Sequence, residues 1–167
     1  MQKVRVLLLD VDGVLTDGSV ILGSGGAELK VFNIHDGLAI RLASAAGIHV
    51  GIITSRSSEA VTQRAAELGI EIVHQGAKDK SVAYQTILEE LQASDDAVCY
   101  VGDDLPDWSL IKKAGVGVAV ADACEEVKQI AAYVTTRHGG QGAVREVVEM
   151  ILKSQGLWDD VIQPYTI

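Results

Sequence analysis

Residues 6–13 read Val6-Leu7-Leu8-Leu9-Asp10-Val11-Asp12-Gly13: four consecutive apolar residues that stop at two aspartates, two positions apart, and a glycine. A continuous apolar run, as opposed to an alternating one, marks a strand buried on both faces, as in a parallel sheet. Three further runs have this shape: Val50-Gly51-Ile52-Ile53, Ala97-Val98-Cys99-Tyr100-Val101 and Val116-Gly117-Val118-Ala119-Val120. Shorter strands are expected at 71–74 and near 132–135. Helical patterns lie between and after them. Ala83, Tyr84, Ile87, Leu88 and Leu91 recur with a period of about 3.6 residues, as do Val144, Val147, Val148, Ile151 and Leu152. Residues 57–68 open with the cap candidates Ser57 and Ser58, and residues 37–47 close at Gly47. The alternation predicts an α/β fold, a Rossmann-like open parallel sheet with helices on both faces. One segment departs from it. Ser19–Leu22, the glycine-rich turn 23–26 and Glu28–Phe32 predict a β-hairpin inserted after the first strand, spanning 18–33.

The chain has 167 residues, which predicts one domain over 1–167 with a C-terminal tail at 155–167. Hydrophobic residues at 48% and charged residues at 22% exclude a disordered chain, a collagen and a disulfide scaffold. A formal charge of −9 argues against nucleic acid or an anionic membrane as partner. Cys99 and Cys124 form no CxxC pair, and Cys99, in an apolar run, is expected to be a buried, reduced thiol. The run Val6–Leu9 is too short for a signal peptide, and no window of about 18 uncharged apolar residues exists. A cytoplasmic location is the expectation. The apolar residues of the tail, among them Leu157, Trp158, Val161 and Ile162, are expected to dock, on their own subunit or on a neighbour's site.

In open α/β sheets, ligands bind at the carboxyl ends of strands. Those ends carry Asp10, Asp12 and Gly13, then Thr54-Ser55-Arg56, then Gly102-Asp103-Asp104 followed by Asp107, while Lys80 opens a helix between them. Capping the next helix accounts for any one of these residues. It does not account for adjacent aspartates, because a cap needs one acceptor. Crowded carboxylates repel one another unless a cation neutralises them, and oxygen ligands without His or Cys favour Mg²⁺. A carboxylate can attack phosphorus, and a hydroxyl, backbone amides and a lysine can hold the phosphoryl oxygens. The four histidines, His35, His49, His74 and His138, share no ligand spacing. The loop Gly139–Gly142 opens the last helix, either as an anion site or as a flexible helix start.

Asp10-Val11-Asp12-Gly13-Val14 resembles the first motif of the haloacid dehalogenase superfamily of phosphatases. Thr54 resembles its second motif, Lys80 its third and Gly102-Asp103-Asp104-Leu105-Pro106-Asp107 its fourth. A closer likeness rests on Asp12–Gly18, Phe32-Asn33 with Asp36-Gly37, Gln75-Gly76 before Lys80, and Gly139–Glu146. Together these are similar to the capless subfamily of 3-deoxy-D-manno-octulosonate 8-phosphate phosphatases. The resemblance implies a Mg²⁺-dependent phosphomonoester hydrolase working through an aspartyl-phosphate. Asp10 is then the nucleophile and Asp12 the general acid and base. Thr54, Ser55, Lys80 and Gly13 bind the phosphoryl group. The metal set is Asp10, Asp12 through its backbone carbonyl, Asp103 and Asp104, with Asp104 and Asp107 unranked as water-mediated partners.

The implied substrate carries a carboxylate besides its phosphate; Arg56 and Arg64 are expected to meet it, because arginine's fork bonds both carboxylate oxygens, and Asn33 is a further substrate-binding candidate. Related phosphatases of nine-carbon sugar acids carry Glu where Arg56 stands, so Arg56 favours the eight-carbon acid. Ser55 replaces the usual Gly after the second-motif Thr, and Trp158 and Pro164 fall outside the pattern. The short interval between Thr54 and Lys80 leaves no room for a cap domain. The resemblance therefore implies a homotetramer with interlocking hairpins, in which a neighbour covers the site. Two other readings stand beside this one: a phosphatase of a nine-carbon sugar acid, and a non-catalytic tetramerisation module. A phosphoacceptor receiver domain is disfavoured by the Asp10/Asp12 pair, since receivers need no proton donor.

Overall fold

In the computed structural model, which describes residues 1–26 and 28–166, the strands are β1 (Val6–Leu9), β2 (Ile21–Leu22), β3 (Glu28–Leu29), β4 (His49–Ile53), β5 (Ile72–His74), β6 (Val98–Gly102), β7 (Val116–Ala119) and β8 (Tyr133–Val134). The helices are α1 (Ile34–Ala45), α2 (Glu59–Leu68), α3 (Lys80–Leu91), α4 (Trp108–Lys113), α5 (Glu125–Ile130), α6 (Ala143–Gln155) and α7 (Trp158–Ile162). Six strands form one sheet in the order β5-β4-β1-β6-β7-β8, and every neighbouring pair is parallel. β1 lies between β4 and β6, with Leu9 opposite Ile52 on one side and Val101 on the other. The chain moves outward from β1 in one direction, returns, and moves outward in the other. The crevice beyond the carboxyl end of β1 is therefore the switch point of the sheet.

The continuous apolar runs have the burial their composition demands. Leu7, Leu8 and Leu9 are fully buried, as are Val98 to Val101. The helical faces read from periodicity are the buried faces: Ala83, Tyr84, Ile87 and Leu88 of α3, and Val144, Val147, Val148, Ile151 and Leu152 of α6. α1 packs against α6 on one side of the sheet.

The structure differs from the sequence reading in four places. The hairpin is shorter: two residues pair with two, Ile21 with Leu29 and Leu22 with Glu28, and they form a separate sheet. α1 begins three residues earlier than expected because Asn33 caps it, accepting a bond from the His35 amide at 2.8 Å. Ser58 holds the cap position of α2, but its hydroxyl makes no cap bond; its amide donates instead to Gln75 Oε1 at 2.7 Å. Three short helices, α4, α5 and α7, carried no legible period, since five or six residues span less than two turns.

The first part of the tail packs on its own chain, while residues 163–166 are exposed. Leu157, Trp158 and Val161 pack on the core, and the Trp158 ring lies 5.1 Å from the Arg145 guanidinium and 5.0 Å from the Lys153 ammonium. Ile167, also part of the expected apolar tail, lies outside the described residues. Between β4 and α3 the chain holds only α2 and β5, and between β1 and α1 only the hairpin and its flanks, so the described residues contain no cap domain. Among them no helix is long and apolar enough to cross a membrane.

Candidate active site

The carboxyl ends of three adjacent strands deliver the acidic groups and the hydroxyl. Asp10 follows β1, Thr54 follows β4, and Asp103 and Asp104 follow β6. Lys80 enters as the first residue of α3, which Asp79 caps by accepting from the Ser81 amide at 2.9 Å. Its stem crosses the interior, so that the ammonium, on a residue 4% exposed, sits 2.7 Å from Asp107 Oδ1 and 2.9 Å from Asp10 Oδ1.

Asp107 owes its place to the turn that carries it. Its amide bonds the Asp104 carbonyl at 2.8 Å, folding the chain back toward β6. Its Oδ1 accepts from Tyr100 Oη at 2.6 Å as well as from Lys80, and its Oδ2 accepts from the Asp103 amide at 3.0 Å. Gly102 makes room for it: a Cβ there would lie 2.5 Å from Asp107 Cβ.

Asp10, Asp103 and Asp107 each place a carboxylate oxygen within 4.8 Å of the other two. Asp104, placed in the metal set from the sequence, lines the same pocket but stands outside this trio, while Asp107, left unranked beside it, stands inside. Burial, then the neighbouring Asp107 charge, pushes Asp10 up to about 6 against the pull of Lys80. Burial, then Asp10 and Asp107, pushes Asp103 up to about 8. Burial works against the charge of Lys80, but the two aspartates outweigh it and raise its pKa. Three carboxylates with one ammonium leave an excess of negative charge in a dry place. The residues thus fit a hard divalent cation, which would favour the ionised form of both carboxyls against burial and offset their mutual repulsion. Asp10 Oδ1 is moreover a buried acceptor with no aligned hydrogen bond, Lys80 lying near it but off axis.

Gly13 is the one residue that fits its position. Its φ is +91°, and a Cβ would lie 2.1 Å from Asp103 Oδ2. The Gly139–Gly142 loop lies behind it. The Gly140 amide donates to the Val14 carbonyl at 2.8 Å, and a Cβ on Gly139 would meet the Gly13 carbonyl oxygen at 1.7 Å. The loop does hold an anion, but one belonging to the chain: the buried Asp36 carboxylate accepts from the Gly142 amide at 3.2 Å and the Arg145 amide at 2.7 Å.

Thr54, Ser55 and Arg56 line the pocket beside Asp10, with Thr54 buried. Arg64 and Asn33 do not line it. Arg64 bonds Glu67 at 2.8 Å and stacks over Phe32 at 5.8 Å, and Asn33 Nδ2 donates to the Gly140 carbonyl at 3.3 Å. Two residues that the sequence reading did not single out stand at the rim. The Lys30 ammonium bonds Asp12 Oδ1, and Glu28 bonds both Lys30 and Arg56. Their one sequence signal is a pair of opposite charges at i and i+2 on a short strand, which places them on one face.

Residues 69–147 match the haloacid dehalogenase-like hydrolase family. The chain is 47% identical over 159 residues to the 3-deoxy-D-manno-octulosonate 8-phosphate phosphatase of Escherichia coli (strain K12), covering 95% of this chain and 85% of that one. The structure is similar to that of the 3-deoxy-D-manno-octulosonate 8-phosphate phosphatase from Moraxella catarrhalis, in complex with magnesium ion, phosphate ion and a KDO molecule. There the TM-score is 0.96 and the identity 41%, over 99% of this chain and 95% of that one. It is also similar to the cobalt-bound deoxy-D-mannose-octulosonate 8-phosphate phosphatase from Haemophilus influenzae, at a TM-score of 0.90 and 35% identity, over 93% of this chain and 91% of that one.

Proposed function

The chain belongs to the haloacid dehalogenase-like hydrolase family, and from that premise we propose that it is a Mg²⁺-dependent phosphatase of 3-deoxy-D-manno-octulosonate 8-phosphate. The observation that carries this reading is the placement of the Asp10 carboxylate at the end of the central strand, in one small space with Lys80, Asp103 and Asp107.

Each residue then has a chemical task. Thr54 and the Lys80 ammonium hold the phosphoryl oxygens, at a point where Lys80 is already fixed by two carboxylates. An Asp10 oxygen attacks phosphorus; the bond from phosphorus to the sugar oxygen breaks, and Asp12 gives that oxygen its proton. The resulting acyl phosphate on Asp10 is cleaved by water, whose proton returns to Asp12. Asp10, Asp103 and Asp107 are the groups that would hold Mg²⁺, which supplies charge neutralisation for the phosphoryl transfer. Arg56, two residues beyond Thr54, supports an acid substrate over a neutral sugar phosphate.

We further propose a homotetramer in which a neighbour completes the site. The hairpin region supports it: Val20, Leu22, Leu29 and Val31 are all more than half exposed, an apolar group on an element outside the main sheet. The free thiols of Cys99 and Cys124 fit a cytoplasmic location. Phosphate release from eight-carbon and nine-carbon 3-deoxy sugar acid phosphates and from neutral hexose phosphates, with and without Mg²⁺, tests the function. Preference for the eight-carbon acid is expected; equal rates on neutral sugars would remove the substrate, and no release from any would return the fold to a non-catalytic module. Light scattering tests the assembly, and a monomeric mass would refute it.

A further inference from the structure

At the rim of the pocket, two cations and two carboxylates alternate in a closed ring. Glu28 Oε2 accepts from Arg56 Nη2 at 2.5 Å, and Glu28 Oε1 pairs with Lys30 Nζ at 2.8 Å. Asp12 completes the ring, with Oδ1 bonded to Lys30 and Oδ2 3.8 Å from Arg56 Nε. One carboxylate thus bridges two cations, one oxygen to each. With the ring closed the Lys30 side chain is 2% exposed and that of Glu28 20%, so of the two Glu28 is the member nearer to solvent. Glu28 sits on β3, which is two residues long and, among the described residues, pairs with β2 and not with the main sheet. While Glu28 is in place the ring is neutral and gives no attraction to another anion. Once it leaves, an ammonium and a guanidinium remain beside the phosphoryl pocket with one carboxylate between them.

We propose that Lys30 and Arg56 together form the subsite for the carboxylate of the substrate, and that Glu28 is its internal stand-in, displaced when a sugar acid binds. This rests on the reading of the substrate as a phosphorylated sugar acid. It extends that reading with a second specificity-determining cation and a mechanism of selection. A substrate with a carboxylate replaces Glu28 like for like; a neutral sugar phosphate must either leave Glu28 where it is or expose two unpaired cations.

Glu28→Gln keeps the length of the side chain and removes its charge. Freeing a site that is blocked most of the time raises apparent affinity by the inverse of its open fraction; a site open about 10–20% of the time gains about 5- to 10-fold. KM for 3-deoxy-D-manno-octulosonate 8-phosphate should fall by that factor with kcat changed less than about twofold. By calorimetry, the phosphate-free sugar acid should bind tighter by the same factor, while inorganic phosphate should not. In an Arg56→Ala background the gain should shrink, because Glu28 then blocks Lys30 alone. An unchanged or higher KM in Glu28→Gln overturns the inference, as does an equal gain for inorganic phosphate, which would be a plain change of local charge. Glu28→Ala repeats the test should the amide find a new bond of its own. Absence of turnover in the unmodified enzyme would instead strike the substrate reading itself, so the two failures are distinct.

Discussion

Replacing Asp107 with alanine removes one carboxylate from a site that has too many, and whether that helps or harms can be worked out. The loss is the Lys80 contact at 2.7 Å. At an effective dielectric near 20 this is worth about 6 kcal/mol of attraction. The gain is relief from Asp10, whose nearest carboxylate oxygen lies within 4.8 Å. That repulsion is about 3–4 kcal/mol at the full separation. Asp103, pushed up to about 8, is mostly protonated at neutral pH and adds little repulsion. Attraction therefore outweighs repulsion. Tyr100 and the Asp103 amide also lose their acceptor in a buried place. The net loss should be about 3–5 kcal/mol, the usual cost of breaking a buried pair by removing one partner. For a chain of this length that lowers the melting temperature by about 6–20 °C. Asp107→Asn keeps an acceptor for Tyr100 and should lose less. The assay is urea unfolding at neutral pH in chelator, which keeps metal affinity out of the comparison. A loss under about 1 kcal/mol for alanine would show that Lys80 is held by Asp10 alone and would refute the account.

Other perturbations follow the same geometry. Asp10→Asn and Asp12→Asn should each abolish turnover while the fold remains, the first by removing the attacking charge, the second by removing the proton donor; unchanged phosphate release in either would sink the mechanism. Asp10 and Asp103 hold protons in the fold, up to about 6 and about 8, that they lose near 3.8 when unfolded. Stability in chelator should therefore fall as pH rises from about 4 toward 8, and Mg²⁺ should flatten the slope by taking the protons' place; parallel melting curves with and without Mg²⁺ would mean the metal sits elsewhere. Gly13→Ala meets Asp103 and a left-handed backbone at once, so Mg²⁺ affinity by calorimetry should drop sharply; unaltered affinity would show that the loop can move aside. Asp36→Ala strips the Gly142 and Arg145 amides of their acceptor and should cost about 1–3 kcal/mol by thermal unfolding; no loss would mean water replaces the carboxylate.

Much of this protein was legible in one dimension because its signals are local. Val6–Leu9 announces a doubly buried strand by four neighbours, and α3 and α6 announce their buried faces within two or three turns. The strand ends then follow, and with them Asp10, Thr54 and Asp103, since a parallel sheet puts every carboxyl end on one rim. Elements too short to show a period, such as α4 and α7, carried no such signal. Pairings across long loops were equally silent. No spacing tells that Asp107, and not Asp104, turns back on Lys80, because that depends on one turn bonding the Asp107 amide to the Asp104 carbonyl. Nor does it tell that Arg64 is held by Glu67 and Phe32 away from the pocket, or that Glu28 and Lys30 reach Arg56 and Asp12 across 28 and 18 positions. Sequence by itself determined which residues form the sheet and which chemistry stands at its rim, because apolar runs and periods act between neighbours in the chain. The partner each charged group takes was decided only by tertiary structure, because Coulomb attraction depends on distance through space, and the fold sets that distance.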